Sequence, residues 1–305
     1  MKQKEEIILL LLISIMGCKT SSAFNDSAGM IFASSGRYEE AIRNFNDAIK
    51  KDPSNVELYN KLGKVYYRIK KYDFALNAFD HAVLLDSENL EYRKNRGMTY
   101  HKLDEFVKSL NDFQYILERE SNNIEANYYS GIIYYNLYEY EKALNCLEII
   151  SGNNLDSYVY SNVCTYIGSI YYEFTKYELA LDYFNQAIKI NDRNIEAFNG
   201  RGLVYQSIED YNLAIENFTL AINLNNNYVD PYYNRGLLYI EKKDFLKALP
   251  DFNKAIDIKN DEADLYHFRG LIYTELAKLS WNLEEQLMYA KLAKEDIEKS
   301  MKLRN

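Results

Sequence analysis

The chain is 305 residues long, with 36 basic against 45 acidic side chains and a formal net charge of −9. An acidic chain without a lysine- or arginine-rich stripe repels phosphate backbones, which argues against nucleic acid as a partner. His81, His101 and His267 are far apart and match no metal-site or catalytic-triad spacing, and no glycine-rich phosphate loop is present, so no enzyme, metal or cofactor role is expected.

At the N-terminus, Lys2 and Lys4 precede an apolar run from Ile7 to Met16 that ends at Gly17-Cys18. That run is too short to cross a bilayer as a helix but suits the apolar region of a secretion signal. Ile15-Met16-Gly17-Cys18 resembles the bacterial lipobox, in which a small residue before the cysteine admits the peptidase and the thiol receives diacylglycerol. The resemblance implies a signal peptide over 1–17, a lipidated Cys18 and a short tether over 18–21. It also implies a place in the bacterial cell envelope, anchored to a membrane. An ordinary signal peptide with an incidental cysteine, or an uncleaved apolar end, are the alternatives.

From residue 22 onward the chain repeats. Gly29, Gly63, Gly97, Gly131, Gly168, Gly202, Gly236 and Gly270 fall 34 residues apart, except for one step of 37 after Gly131. With the glycine at position 8 of each unit, position 11 is aromatic throughout (Phe32, Tyr66, Tyr100 and onward). Position 20 is Ala or Ser, and position 24 is Phe in all but one of the first seven units. Such a period signals paired helices that bury an apolar face only by stacking on neighbours. Small residues at 8 and 20 let the two helices approach, and the aromatics fill the space beside them.

These positions resemble the tetratricopeptide repeat family over residues 22–305. The resemblance implies an all-α, right-handed α-solenoid of about eight helix–turn–helix repeats, serving as a protein-binding scaffold. The units run 22–55, 56–89, 90–123, 124–160, 161–194, 195–228, 229–262 and 263–305, with turn signals such as Asp52-Pro53 and Asn225-Asn226 between them. The fourth is irregular, with Leu147 and Ile150 at its core positions and Ser151-Gly152-Asn153-Asn154 after them. It reads as a seam between repeats 1–4 (22–160) and repeats 5–8 (161–305). Pro250 should remove one helical hydrogen bond and bend its helix slightly. In the last unit, Asn282 and Glu285 look like a capping box opening a helix from about Leu283 to Leu303, and Trp281 should fold back over the end of the core.

Arg96, Arg201, Arg235 and Arg269 occupy position 7, and position 23 of the same units holds Asp112, Asn217, Asp251 and Asp296. Units without that arginine lack the partner, so an arginine–carboxylate pair joining the two helices of a unit is expected. Cys146 and Cys164 read as two buried thiols, with a disulfide as the alternative. Positions 2, 5, 9 and 12 of each first helix face away from its partner and should line the inner, concave wall. They supply Tyr67, His101, Tyr128, Tyr135, Tyr172, Asn199, Gln206, Tyr233 and His267 as candidate partner-binding residues, with Asn60 beside them. Position 2 adds an acidic edge of Glu57, Glu91, Glu125, Glu196, Asp230 and Asp264. An aromatic groove with an acidic rim suits a protein or peptide segment with basic or apolar side chains. The two-carboxylate clamp by which some family members hold chaperone C-termini is missing. Glu125 and Tyr129 stand where basic residues are needed, which argues against a cytosolic co-chaperone. A soluble secreted or cytoplasmic adaptor is the alternative to an anchored one.

Overall fold

The structure, a computed structural model, describes residues 22–152 and 156–304. The signal, Cys18 and the tether lie outside the described residues, as do Asn153 and Asn154 of the irregular turn. Among the described residues there are sixteen helices, in the order α1 (Ser22–Ser34), α2 (Tyr38–Lys51), α3 (Val56–Arg68), α4 (Tyr72–Leu85), α5 (Leu90–Lys102), α6 (Phe106–Leu117), α7 (Ile124–Asn136) and α8 (Tyr140–Ser151). After these come α9 (Ser157–Glu173), α10 (Tyr177–Ile190), α11 (Ile195–Ser207), α12 (Tyr211–Leu224), α13 (Val229–Glu241), α14 (Phe245–Ile258), α15 (Ala263–Leu279) and α16 (Leu283–Arg304). Odd-numbered helices are the first and even-numbered the second of each repeat. The chain falls into two compact units that divide between Ile150 and Ser151.

Close approach within a repeat follows from the position-8 glycine. A Cβ on Gly63 would stand 2.6 Å from Cε1 of Phe79, and one on Gly202 would stand 2.6 Å from Cε1 of Phe218. Phe45, Phe79, Phe113, Phe184, Phe218 and Phe252 are almost completely buried in these gaps, and Leu147 takes the place beside Gly131. Each of these six enclosed phenyl rings contributes about 1.5–3 kcal/mol through burial.

The hairpin turn inside each repeat carries a signal that the sequence pattern did not announce. Gly36, Lys70, Asp104, Tyr138, Thr175, Glu209 and Lys243 all adopt positive φ, and all occupy position 15. At each, the two flanking amides bond back into the first helix, as in Lys70 N to Tyr67 O (3.0 Å) and Lys71 N to Tyr66 O (2.9 Å). This is a Schellman ending, for which glycine is the usual residue. Six of the seven turns use another residue and carry left-handed strain of about 1 kcal/mol each.

Helix α9 is opened by Asp156, whose carboxylate accepts from Tyr158 N (2.9 Å). Two expectations need correction. Asn282 does accept from Glu284 N (2.8 Å), but Glu285 bonds Ser280 Oγ (2.7 Å), so the reciprocal half of the capping box is absent. Trp281 is 101% exposed and covers nothing: α15 ends at Leu279, which leaves the ring on the connecting turn. Pro250 sits inside α14 on its exposed side. Cys146 and Cys164 are both buried and free.

Candidate protein-binding wall

Within each compact unit, successive first helices touch one another (α1 with α3, α3 with α5, α5 with α7; α9 with α11, α11 with α13, α13 with α15). Successive second helices make no such contact among the described residues. The row of first helices is therefore the tighter, inner side of each unit, as positions 2, 5, 9 and 12 require.

The arginines lock this stacking. Arg96 Nε and Nη2 donate to the two oxygens of Asp112 at 2.8 and 2.7 Å, and Arg235 does the same to Asp251 at 2.9 and 2.6 Å. Arg269 holds Asp296 at 2.7 and 2.8 Å, while Arg201 Nε donates to Asn217 at 2.8 Å. Each Nη1 makes a further bond that the sequence pattern did not reveal. It reaches position 25 of the preceding repeat: Asp80, Asn185, Thr219 and Asn253, at 3.1, 2.7, 2.8 and 2.9 Å. One guanidinium thus joins three helices. Burial pushes the Asp251 carboxyl up more than Arg235 pulls it down, and burial lowers Arg201, whose partner is a neutral amide.

The aromatic wall residues are prepacked. Tyr67, His101, Tyr135 and Tyr172, all at position 12, lean on the ring that opens the second helix of the same repeat. Their centroid distances to Tyr72, Phe106, Tyr140 and Tyr177 are 5.4, 6.0, 5.7 and 6.0 Å. All four are half-buried. His101 also meets Tyr129 edge-on at 5.5 Å, its Nδ1 is enclosed without a partner, and burial pulls its pKa down. Tyr128 lies edge-on to Tyr129 at 5.5 Å, and Tyr129 stacks on Phe113 at 5.4 Å. In the second unit, Tyr233 is half-buried between Phe252 (5.9 Å) and Phe268 (5.7 Å). Gln206 is half-buried and His267 exposed.

Asn199 and Asn60 sit elsewhere than expected. Asn60 is fully buried and Asn199 is 9% exposed, because position 5 lies at the contact between successive first helices. There Asn60 Oδ1 accepts from Asn95 (2.8 Å) and Asn199 Oδ1 from Asn234 (3.0 Å), a rung that ties one repeat to the next. These side chains hold the wall together and offer little to a ligand.

The acidic edge also divides. In the first unit Lys64 bonds Glu91 at 2.5 Å, Lys94 bonds Glu125 at 3.4 Å, and Glu57 accepts from the Tyr92 hydroxyl at 3.1 Å. The Lys64 ammonium holds the Glu91 carboxyl below its usual range. The signal was present in the sequence, since each lysine sits at a wall position one repeat before its acid. In the second unit Arg304 bonds Asp264 at 2.7 Å, while Glu196 and Asp230 have no ion-pair partner among the described residues. Burial and then Asp230 push the Tyr228 hydroxyl well above the usual tyrosine range. Among the described residues there is no cluster of His, Cys, Asp and Glu able to hold a metal, and no helix long and apolar enough to cross a membrane.

A family model described as TPR repeat matches residues 29–70, and one described as tetratricopeptide repeat matches 56–89, 162–194, 195–228 and 229–262, together more than half of the chain. No curated protein matches the sequence. Among solved structures, a tetratricopeptide repeat protein from Parabacteroides merdae aligns with a TM-score of 0.67 at 22% identity, over 82% of this chain and 98% of that one. A chain of the APC/C hetero-tetramer Cut9–Hcn1 aligns with a TM-score of 0.61 at 16% identity, over 95% of this chain and 57% of that one. MamA from Desulfovibrio magneticus RS-1 aligns with a TM-score of 0.50 at 19% identity, over 55% of this chain and 94% of that one. At these identities the likeness is one of fold.

Proposed function

We propose that this chain, which belongs to the tetratricopeptide repeat family, is a membrane-anchored scaffold of the bacterial cell envelope that holds a protein segment against its first-helix wall. The fold itself is a protein–protein interaction scaffold, built from stacked repeats that expose a long continuous surface. The observation that carries the finer reading is the recurring position-12 ring, half-buried against the next helix of its own repeat in four units. A ring already held in place loses little side-chain entropy when a partner covers its remaining face, and such aromatics dominate interface energetics. The lipobox-like Ile15-Met16-Gly17-Cys18 supports the anchor, and only Lys19, Thr20 and Ser21 then separate Cys18 from the first repeat, at most about 14 Å of chain.

Two experiments test this. Replacing Tyr67 and Tyr135, both in the first unit, together with Ala should weaken capture of the native partner while circular dichroism keeps the folded helical signal. Undiminished capture would remove those rings from the site. For the anchor, radiolabelled lipid should enter the wild-type chain and not Cys18→Ala, whose precursor should remain uncleaved. Absence of label from the wild type together with normal membrane retention of the variant would rule the anchor out.

A further inference from the structure

In every other repeat of the second unit the groove between the two helices is covered by the next first helix, whereas no described residue covers the groove of the repeat at 263–304. Inside the second unit, the groove between the helices of one repeat receives the first helix of the next. Thus α11 lies on α10, α13 on α12, and α15 on α14. Position 28 of the sixth and seventh repeats reports this coverage: Ile222 and Ile256 are each 8% exposed. The corresponding residue of the repeat at 263–304, Met301, is 60% exposed. Position 24 behaves alike, with Phe252 at 0% and Ile297 at 38%. There α15 and α16 line a groove of about 650 Å³ with an apolar floor.

The pattern on α16 shows what fits there. Tyr289, Ala293, Asp296 and Ser300 face α15, through the Tyr289–Tyr273 stack, the Arg269 pair and burial. Beside this seam runs a second one, Leu283, Leu287, Ala290, Lys294, Ile297 and Met301, spaced alternately four and three residues apart, and all six line the groove. A four–three alternation that is apolar at all but one position, Lys294, is the seam of a helix that packs along another helix. It also reads nearly the same in both directions. Laid antiparallel on itself about residue 292, Leu283 meets Met301, Leu287 meets Ile297, and the small Ala290 leaves room for the stem of Lys294. The flanking charges do not oppose this, because Lys291 and Lys294 already pair with Glu295 and Glu298 on their own helix, at 3.8 and 3.9 Å.

We propose that this groove is a homodimer interface in which α16 of one copy packs antiparallel in the same groove of a second copy. A two-fold contact of this kind is self-complementary and closes on itself. A helix of 22 residues offers a strip about 33 Å long. That is toward the small end of specific interfaces, so dissociation in the micromolar range is expected.

Sedimentation of the full chain between 1 and 100 µM (roughly the span over which such a contact assembles) should show a reversible shift from monomer to dimer. Leu287→Glu and Met301→Glu should each raise the dissociation constant by about tenfold or more with an unchanged helical signal, since both side chains are already exposed. Register is tested by crosslinking. Lys291→Cys, close to the two-fold axis, should crosslink to its own copy. Leu283→Cys should crosslink to Met301→Cys in a mixture and not to itself. A chain that stays monomeric at 100 µM, a dimer that survives both substitutions, or self-crosslinking of Leu283→Cys would each overturn the proposal. The first of these would leave the groove to a helix of another protein.

Discussion

The Arg235–Asp251 pair gives the most quantitative test of how the array is held together. Its carboxylate is 4% exposed and its guanidinium 18% exposed, so solvent screening is weak. Arg235→Met keeps most of the side-chain volume but strands the carboxylate and removes the bond to Thr219 in the preceding repeat. Breaking a buried pair in this way costs about 3–5 kcal/mol. Asp251→Asn should cost only about 1 kcal/mol, because Arg201 already bonds an asparagine at the same place in the sixth repeat. Together with Asp251→Leu and the double variant, the cycle should yield a coupling of about 1–3 kcal/mol. The deficit should also depend on pH. Burial raises the Asp251 carboxyl above its unfolded value of 3.8, and losing the arginine raises it further. A folded pKa above the unfolded one means that the folded chain holds the extra proton. The stability from that proton is complete below about 3.8 and is lost as pH rises through the folded pKa. Urea unfolding followed by circular dichroism should therefore show a smaller Arg235→Met deficit at mildly acidic pH than at neutral pH. A coupling below about 0.5 kcal/mol, or an equal deficit at both pH values, would refute the reasoning.

Other substitutions probe the turn and the helix contact. Thr175 is β-branched with φ at 55°, so Thr175→Gly should raise stability by about 0.5–1 kcal/mol, read as a higher urea midpoint; a lower midpoint would mean that the turn is unstrained. Gly63→Ala should lose about 1–2 kcal/mol despite alanine's better helix propensity, because the new Cβ would stand 2.6 Å from the buried Phe79 ring; a gain in stability would contradict that packing.

The repeat, its helix pairs and the arginine partners were legible in the sequence because each leaves a residue type at a fixed position. Gly63 and Phe79, or Arg235 and Asp251, are chemically distinctive and recur with the period. The position-15 turn was not legible. Lys70, Asp104, Tyr138, Thr175, Glu209 and Lys243 share a backbone conformation and no side-chain chemistry, so the pattern appears only in the dihedrals. The wall was half legible. Helical spacing identified the position-12 rings, but it could not separate positions that face the groove from those wedged between neighbouring helices, which is where Asn60 and Asn199 lie. The exposed face of α16 was missed for a similar reason. Apolar residues on α16 suggest a covered core, and only the geometry shows that Trp281, Leu287 and Met301 are exposed among the described residues.

The claim that the row of first helices is the protein-binding face is tested most directly by placing one photocrosslinking side chain at a time on the two rows. Gln206 on α11 is a wall position, and the exposed Asn223 on α12 belongs to the second-helix row. In the native setting, crosslinking at Gln206 should join the chain to a discrete partner polypeptide, and the adduct should disappear when Tyr172 is replaced by Ala. Asn223 should give no such adduct. Equal adducts from both positions, or an adduct from Asn223 alone, would contradict the account.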